Sequence, residues 1–127
     1  MAKLTLLENC GNSPKSTFLQ ELNIAFAEGN VAFISSSVTE DIVWNMIGDK
    51  MIQGKEDFVN ALERMKATKT QELILKSIIT HGKEAAVYGE MLMKNGQHFV
   101  FADIYTFKSA KGDKVKSIVS FVQLKNS

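Results

Sequence analysis

The stretch that most constrains this chain is its C-terminal half. From Thr70 onward, extended segments rich in β-branched and aromatic residues are separated by Gly82-Lys83, Asn95-Gly96 and Lys111-Gly112-Asp113. Such segments between turn residues specify hairpin-linked strands, so this half predicts a meander of four antiparallel strands. The N-terminal half has a helical period instead. Ser13 followed by Pro14 reads as a helix start, the hydroxyl accepting from free amides and the proline filling a position that needs no N–H. Phe18, Leu19, Leu22, Ala25 and Phe26 recur at helical spacing until Gly29 supplies a C-cap, which predicts a helix over residues 14–28. Asn30 restarts a short amphipathic helix with Val31, Phe33, Ile34 and Val38, and residues 41–47 read as a strand. After Gly54, the pair Glu56-Asp57 opens a third helix carrying Phe58, Val59, Leu62 and Met65 and ending near Thr68. The order ααβαββββ makes an α+β fold, with helices gathered on one face of a curved antiparallel sheet. Residues 1–12 are expected to be a loosely ordered lead into a single domain spanning 1–127.

With 127 residues, 45% of them hydrophobic, the chain can bury a core, and a cavity within it, without disulfides or a structural metal. Fifteen basic against fourteen acidic residues leave a formal charge of +1, so no long-range field draws in nucleic acid or an anionic membrane. Cys10 is the only cysteine, which excludes an intrachain disulfide and a cysteine-based zinc site. No His-Xaa-His pair, nucleophile elbow or phosphate-binding loop is present, so neither metal nor cofactor is expected. The N-terminus is unlike a signal peptide, and no apolar run approaches the ~18 residues of a membrane helix, so a cytoplasmic location is expected.

A two-residue turn at Asn95-Gly96 would set Lys94 opposite Gln97. Followed outward, this register places Tyr88 opposite Asp103, Glu90 opposite Phe101, Leu92 opposite Phe99 and Ala86 opposite Tyr105, all on one face. Asp103 is the leading catalytic candidate, because a carboxylate in the middle of Phe99-Val-Phe-Ala-Asp-Ile-Tyr-Thr-Phe107 must pair, meet water in a cavity or hold its proton. Protonated beside the Tyr88 hydroxyl it would donate to a developing oxyanion, and ionised it would abstract a proton. Glu90 nearby would push at least one of the two carboxyl pKa values upward. The plainer alternatives are a packing hydrogen bond between Asp103 and Tyr88, and a Glu90 that reaches past the sheet edge into solvent.

Phe99, Phe101 and Tyr105 would line the same wall. Trp44 and Asn45 point to opposite sides of the first strand, and either is a candidate for ligand contact; Asp49 either gates a cavity mouth or ends that strand. The other face, carrying Val87, Met91, Met93, Val100, Ala102 and Ile104, is also apolar, so a second copy of the chain is expected to cover it in a homodimer. His81 and His98 are expected in solvent. Gly96-Gln-His-Phe99-Val-Phe101 faintly echoes the aromatic strand of RNA-recognition sheets, but the element order and near-neutral charge argue against that function.

The helix end Ala27-Glu-Gly-Asn30, the strand Asp41-Ile-Val-Trp-Asn-Met-Ile-Gly48, the helix start Gly54-Lys-Glu-Asp-Phe58 and the closing meander resemble the nuclear transport factor 2-like superfamily. Within it the chain is similar to the SnoaL-like branch of polyketide cyclases and ketosteroid isomerase-like proteins, over about residues 14–124. The resemblance implies a cone-shaped sheet around a deep apolar pocket, lined also by Ile118, Ser120 and Val122, with the outer sheet face commonly in a dimer. It implies that Asp103 stands where ketosteroid isomerases keep a protonated aspartic acid. Asn45 would then occupy the position of their general-base aspartate and Leu22 that of their oxyanion-hole tyrosine. An amide cannot abstract a proton and leucine cannot donate one, so steroid isomerisation of that type is not expected. The Asp-Arg-Asp relay of the superfamily's epoxide hydrolases needs a pocket arginine, whereas Arg64, the only arginine, falls on the third helix. The chain thus reads as a binder of a small apolar organic molecule, with cofactor-free isomerase, cyclase or dehydratase chemistry through a buried carboxyl. The alternatives are a non-catalytic carrier or sensor, a dimerisation module and, behind these, a single-stranded RNA-binding sheet.

Overall fold

A computed structural model describes residues 2–11 and 13–125. The chain runs β1 (Lys3–Asn9), α1 (Pro14–Glu28), α2 (Val31–Ser36), β2 (Val38–Met46), β3 (Met51–Gln53), α3 (Lys55–Met65), β4 (Thr70–His81), β5 (Glu84–Met93), β6 (His98–Phe107) and β7 (Val115–Leu124). The local signals act as their chemistry demands. The Ser13 side chain accepts from the Ser16 amide, Asn30 accepts from the Phe33 amide, and Gly29 closes α1 at φ 71°, its N–H reaching the carbonyls of Ala25 and Phe26. The expected meander is present, and Gly82-Lys83 makes a two-residue turn, with His81 paired to Glu84, Ile79 to Ala86 and Ser77 to Tyr88.

Two strands went unanticipated. Residues 3–9, expected to be loosely ordered, form β1 at one edge of a seven-stranded sheet of order β1-β4-β5-β6-β7-β2-β3. The Thr5 hydroxyl ties this strand to Glu72 on β4 at 2.8 Å. The three-residue β3 pairs with β2 at the other edge. The sheet is also mixed rather than wholly antiparallel, because β1 runs parallel to β4 and β2 parallel to β7. In both cases helices lie between the paired strands in sequence, which supplies the long crossover that parallel neighbours need.

The third correction governs the site. β5 and β6 pair with Ala85 opposite Tyr105, Val87 opposite Asp103, Tyr88 opposite Ala102 and Glu90 opposite Val100, one residue away from the expected register. A type I′ turn would need positive φ at both Asn95 and Gly96, yet among the described residues only glycines have positive φ, Gly96 at 95°. The loop is therefore three residues long, closed by Met93 N–H to the Gln97 carbonyl at 2.8 Å and braced by Asn95 Oδ1 accepting from the Gln97 amide at 2.9 Å. A slip of one residue transfers every side chain of β5 to the other face. Val87, Met91 and Met93, expected outside, thus join Phe99, Phe101, Asp103 and Tyr105 inside.

The core forms where the apolar stripes of the helices meet the inner face of the sheet. Leu19, Leu22, Ile34 and Phe58 are fully buried there with Tyr105, Phe107 and Ile118. Trp44 packs between Phe26 and Phe58, with ring centroids 5.6 and 5.5 Å away. The sheet bends where β4 carries an irregularity between Leu75 and Ser77. Gly89 sits at this bend: a Cβ there would lie 2.3 Å from the Ile74 carbonyl oxygen and 3.1 Å from the Phe101 ring. Only glycine permits that approach.

Candidate functional site

Between α1, α3 and the inner faces of β2 and β4 to β7 lies a cavity of about 550 Å³. Strand alternation brings Asp103 and Tyr105 of β6 to one wall, together with Phe99 and Phe101. Ser120 is the cross-strand partner of Asp103 on β7, and Ile118 and Val122 follow at period two, so all three reach the cavity. Trp44 enters from β2, and Asp49 stands exposed at the rim in the loop after that strand.

The remaining expected site residues are elsewhere. Tyr88 and Glu90 point to the outer face, carried there by the register just described, and so cannot form a cluster with Asp103. Asn45 alternates with Trp44 and turns away from the cavity, and Leu22 is sealed in the core behind it. Residues not anticipated in the lining include Asn23 and Phe26 of α1 and the methionines Met46, Met65, Met91 and Met93. The signal for Asn23 was available: an amide buried beside Leu22 in an apolar helical stripe must find partners, and such groups cluster where polar atoms are wanted.

The polar groups of the inner wall are gathered around Asp103. The Trp44 indole N–H donates to Ser120 Oγ at 2.9 Å. Asn23 Nδ2 donates to the Leu19 carbonyl at 2.8 Å and to the Tyr105 hydroxyl oxygen at 3.4 Å. Ser120 lies opposite Asp103 across the strands and Tyr105 two residues along β6, and both hydroxyls act to lower the Asp103 pKa. Burial pushes the Asp103 carboxyl up to about 6, and the two hydroxyls hold it from rising further. The Tyr105 phenol is driven well above its ordinary value, first by burial and then by the neighbouring Asp103 charge. Asp103 therefore exchanges a proton near neutral pH, which a general acid or base requires, while Tyr105 stays a neutral donor.

On the outer face Glu90 serves a different end. Its carboxylate is covered by Lys76 at 2.5 Å, by Lys125 at 3.5 Å and by His98, so this histidine is engaged rather than free in solvent as expected. Hydrogen bonding to Lys76 is the main cause that holds Glu90 down at about 2. No group of three or more His, Cys, Asp or Glu side chains able to hold a metal ion occurs among the described residues.

The chain matches the family model of the SnoaL-like domain over residues 19–118. No curated protein matches it. Among solved structures it is similar to an NTF-2 like protein of unknown function from Burkholderia xenovorans LB400, at 16% identity and a TM-score of 0.74, with 89% of this chain and 85% of that chain covered. It is also similar to SalBIII, an epoxide hydrolase/cyclase-like enzyme of pyran ring formation in the polyether salinomycin, at 17% identity and a TM-score of 0.70 over 86% of this chain and 90% of that chain. An LEH-like epoxide hydrolase of M. tuberculosis superposes with a TM-score of 0.70 at 12% identity, covering 84% of this chain and 80% of that one. At these identities the likeness carries the fold alone.

Proposed function

The chain belongs to the SnoaL-like domain family, and from that premise we propose that it binds a small, mostly apolar organic molecule in the cavity and performs proton-transfer chemistry on it with Asp103. The observation that carries the reading is a carboxyl set into the wall of a largely apolar cavity of about 550 Å³ with its pKa raised to about 6. Isomerisation, cyclisation or dehydration fits such a group, since each needs a proton taken or given beside a polarisable substrate atom and Ser120 and Tyr105 supply adjacent hydroxyls. The nuclear transport factor 2-like relatives include a cyclase-like enzyme and an epoxide hydrolase, which supports this range of reactions. The epoxide-hydrolase relay is disfavoured, because no arginine lines the cavity.

A non-catalytic carrier is the second reading. It is favoured by the lack, among the described residues, of another carboxyl or imidazole beside Asp103, with Asp49 out at the rim. The two are separated by native mass spectrometry of freshly expressed protein, which identifies a co-purified compound, followed by Asp103→Asn. Binding kept with turnover lost marks an enzyme, saturable binding with no chemical change marks a carrier, and binding and turnover both unchanged would remove Asp103 from the site. An RNA-binding sheet is disfavoured by Phe99 and Phe101, which face the cavity instead of a stacking surface.

The dimer belongs to the same proposal. The outer face of the sheet exposes Tyr88, Ile104 and Phe121 by 43%, 43% and 44%, and a second copy of the chain would bury them. A light-scattering mass of one chain at micromolar concentration overturns it. No helix among the described residues is long and apolar enough to cross a membrane, and we assign the protein to the cytoplasm on its cysteine content.

A further inference from the structure

The cavity's charge inventory is one-sided. Among the described residues Asp103 and Asp49 line it, while no lysine, arginine or histidine does. Among the groups around Asp103, Val87 of β5, Ser120 of β7, Trp44 of β2 and Asn23 of α1 carry no charge, and Tyr105 stays neutral. Among the described residues an ionised Asp103 therefore has no counter-ion, in contrast to Glu90 on the outer face with its three basic partners.

The direction of the hydrogen bonds sharpens this. The indole N–H of Trp44 can only donate, so Ser120 accepts from it and keeps its own proton for Asp103. The Asn23 amide nitrogen is fixed by its bond to the Leu19 carbonyl and donates its other hydrogen to Tyr105, which likewise keeps its hydroxyl proton for Asp103. Both wall hydroxyls are thus free to donate toward the carboxylate, whose pKa they lower. The network suits Asp103 as an acceptor, with lone pairs left over toward the cavity. The same cavity is lined by the aromatic side chains of Phe26, Trp44, Phe99 and Phe101 and by Met46 and Met91.

We propose that the cavity selects a ligand whose polar group is a protonated amine on an apolar body, seated against Asp103, and that it rejects anions. This deepens, and rests on, the reading of the cavity as a ligand site. An ammonium supplies the missing counter-charge in a poorly screened setting, donates to the free carboxylate lone pairs and is attracted by aromatic faces. A carboxylate ligand of the same shape meets two like charges and no cation. A bare carbonyl seated against Asp103 meets an acceptor there unless Asp103 first takes up a proton.

The test is a matched trio on the full chain: 2-(1-naphthyl)ethylamine, 2-(1-naphthyl)ethanol and 1-naphthylacetate, titrated calorimetrically. At pH 7.5 the amine is expected to bind about tenfold tighter than the alcohol, with the acid weakest, and the preference is expected to fall as Asp103 takes a proton on the way to pH 5. Asp103→Asn is expected to bring amine and alcohol to within about twofold of each other, while in Asp49→Asn the amine stays preferred. An alcohol that matches or beats the amine overturns this inference and leaves the ligand-binding reading standing. An amine preference that survives Asp103→Asn overturns the assignment to that residue. Failure of all three probes at millimolar concentration overturns the ligand site itself. The ranking on unaltered protein decides the proposal even if Asp103→Asn does not fold.

Discussion

Asp103 and Ser120 face each other across β6 and β7, and the serine hydroxyl that reaches the carboxylate is held from its other side by the Trp44 indole N–H at 2.9 Å. One hydroxyl therefore joins two strands' polar groups at the inner wall. Ser120→Ala removes a donor to the ionised form of Asp103 and leaves a buried indole N–H without a partner. The expected result is a destabilisation of about 1–2 kcal/mol in denaturant titration. The Asp103 carboxyl is expected to titrate higher than in the unaltered protein, read by carbon-detected NMR. An unchanged titration would show that the hydroxyl does not act on the carboxylate.

Asp103 itself should weaken the fold at neutral pH. Its pKa is raised from an ordinary 3.8 to about 6, so the folded chain binds this proton more tightly than the unfolded chain does. Ionisation then opposes folding. The penalty is fully present above about 6 and disappears as pH falls toward 4. Each pKa unit corresponds to about 1.36 kcal/mol, and screening by water in the cavity reduces the sum, so Asp103→Asn is expected to stabilise the protein by about 1–2 kcal/mol at pH 7.5. The advantage should vanish near pH 4. Equal stability of the two proteins at both pH values would mean that the carboxyl is well solvated.

Glu90 gives the opposite pH dependence. Its pKa is lowered from 4.5 to about 2, so folding favours its ionised form, and that stabilisation is present above about 4.5 and lost as pH falls from there toward 2. Glu90→Gln should remove it, flattening the acid limb of the stability curve and costing about 1–2 kcal/mol at pH 7, since Lys76, Lys125 and His98 would then lie together without their shared anion. Urea titrations of both proteins between pH 7 and pH 3 test this. A variant whose acid limb parallels that of the unaltered protein would show that other carboxyls set it.

How far the site was legible depends on which distances decide it. Caps such as Ser13, Asn30 and Gly29 act over three or four residues, so the sequence carries them directly. The shared wall of Phe99, Phe101, Asp103 and Tyr105 follows from alternation within one strand and is independent of the partner strand. Placing Tyr88 and Glu90 requires the register between strands, and that turned on whether Asn95 adopts positive or negative φ, a choice asparagine makes at little cost either way. β1 was illegible because its partner lies far along the chain, Thr5 meeting Glu72, and Leu4, Leu6 and Leu7 remain exposed rather than marking a buried face. For Asn23 the sequence shows an amide in the apolar stripe of α1, but its partner, the Tyr105 hydroxyl 82 positions along the chain, depends on the tertiary fold.

Gly89 links the bend of the sheet to the shape of the cavity. A methyl group there would stand 2.3 Å from the backbone oxygen of Ile74 and 3.1 Å from the Phe101 ring, which itself lines the cavity. A ring can rotate away, but the carbonyl of a paired strand cannot move without breaking its ladder. Gly89→Ala is therefore expected to cost about 2–3 kcal/mol, typical of forced overpacking with backbone movement. Adding Phe101→Leu should not restore the loss, because the tighter of the two contacts is with backbone. Chemical denaturation of the single and double variants distinguishes the two causes. Recovery in the double variant would assign the strain to the ring and would mean that β4 and β5 tolerate a side chain at the bend.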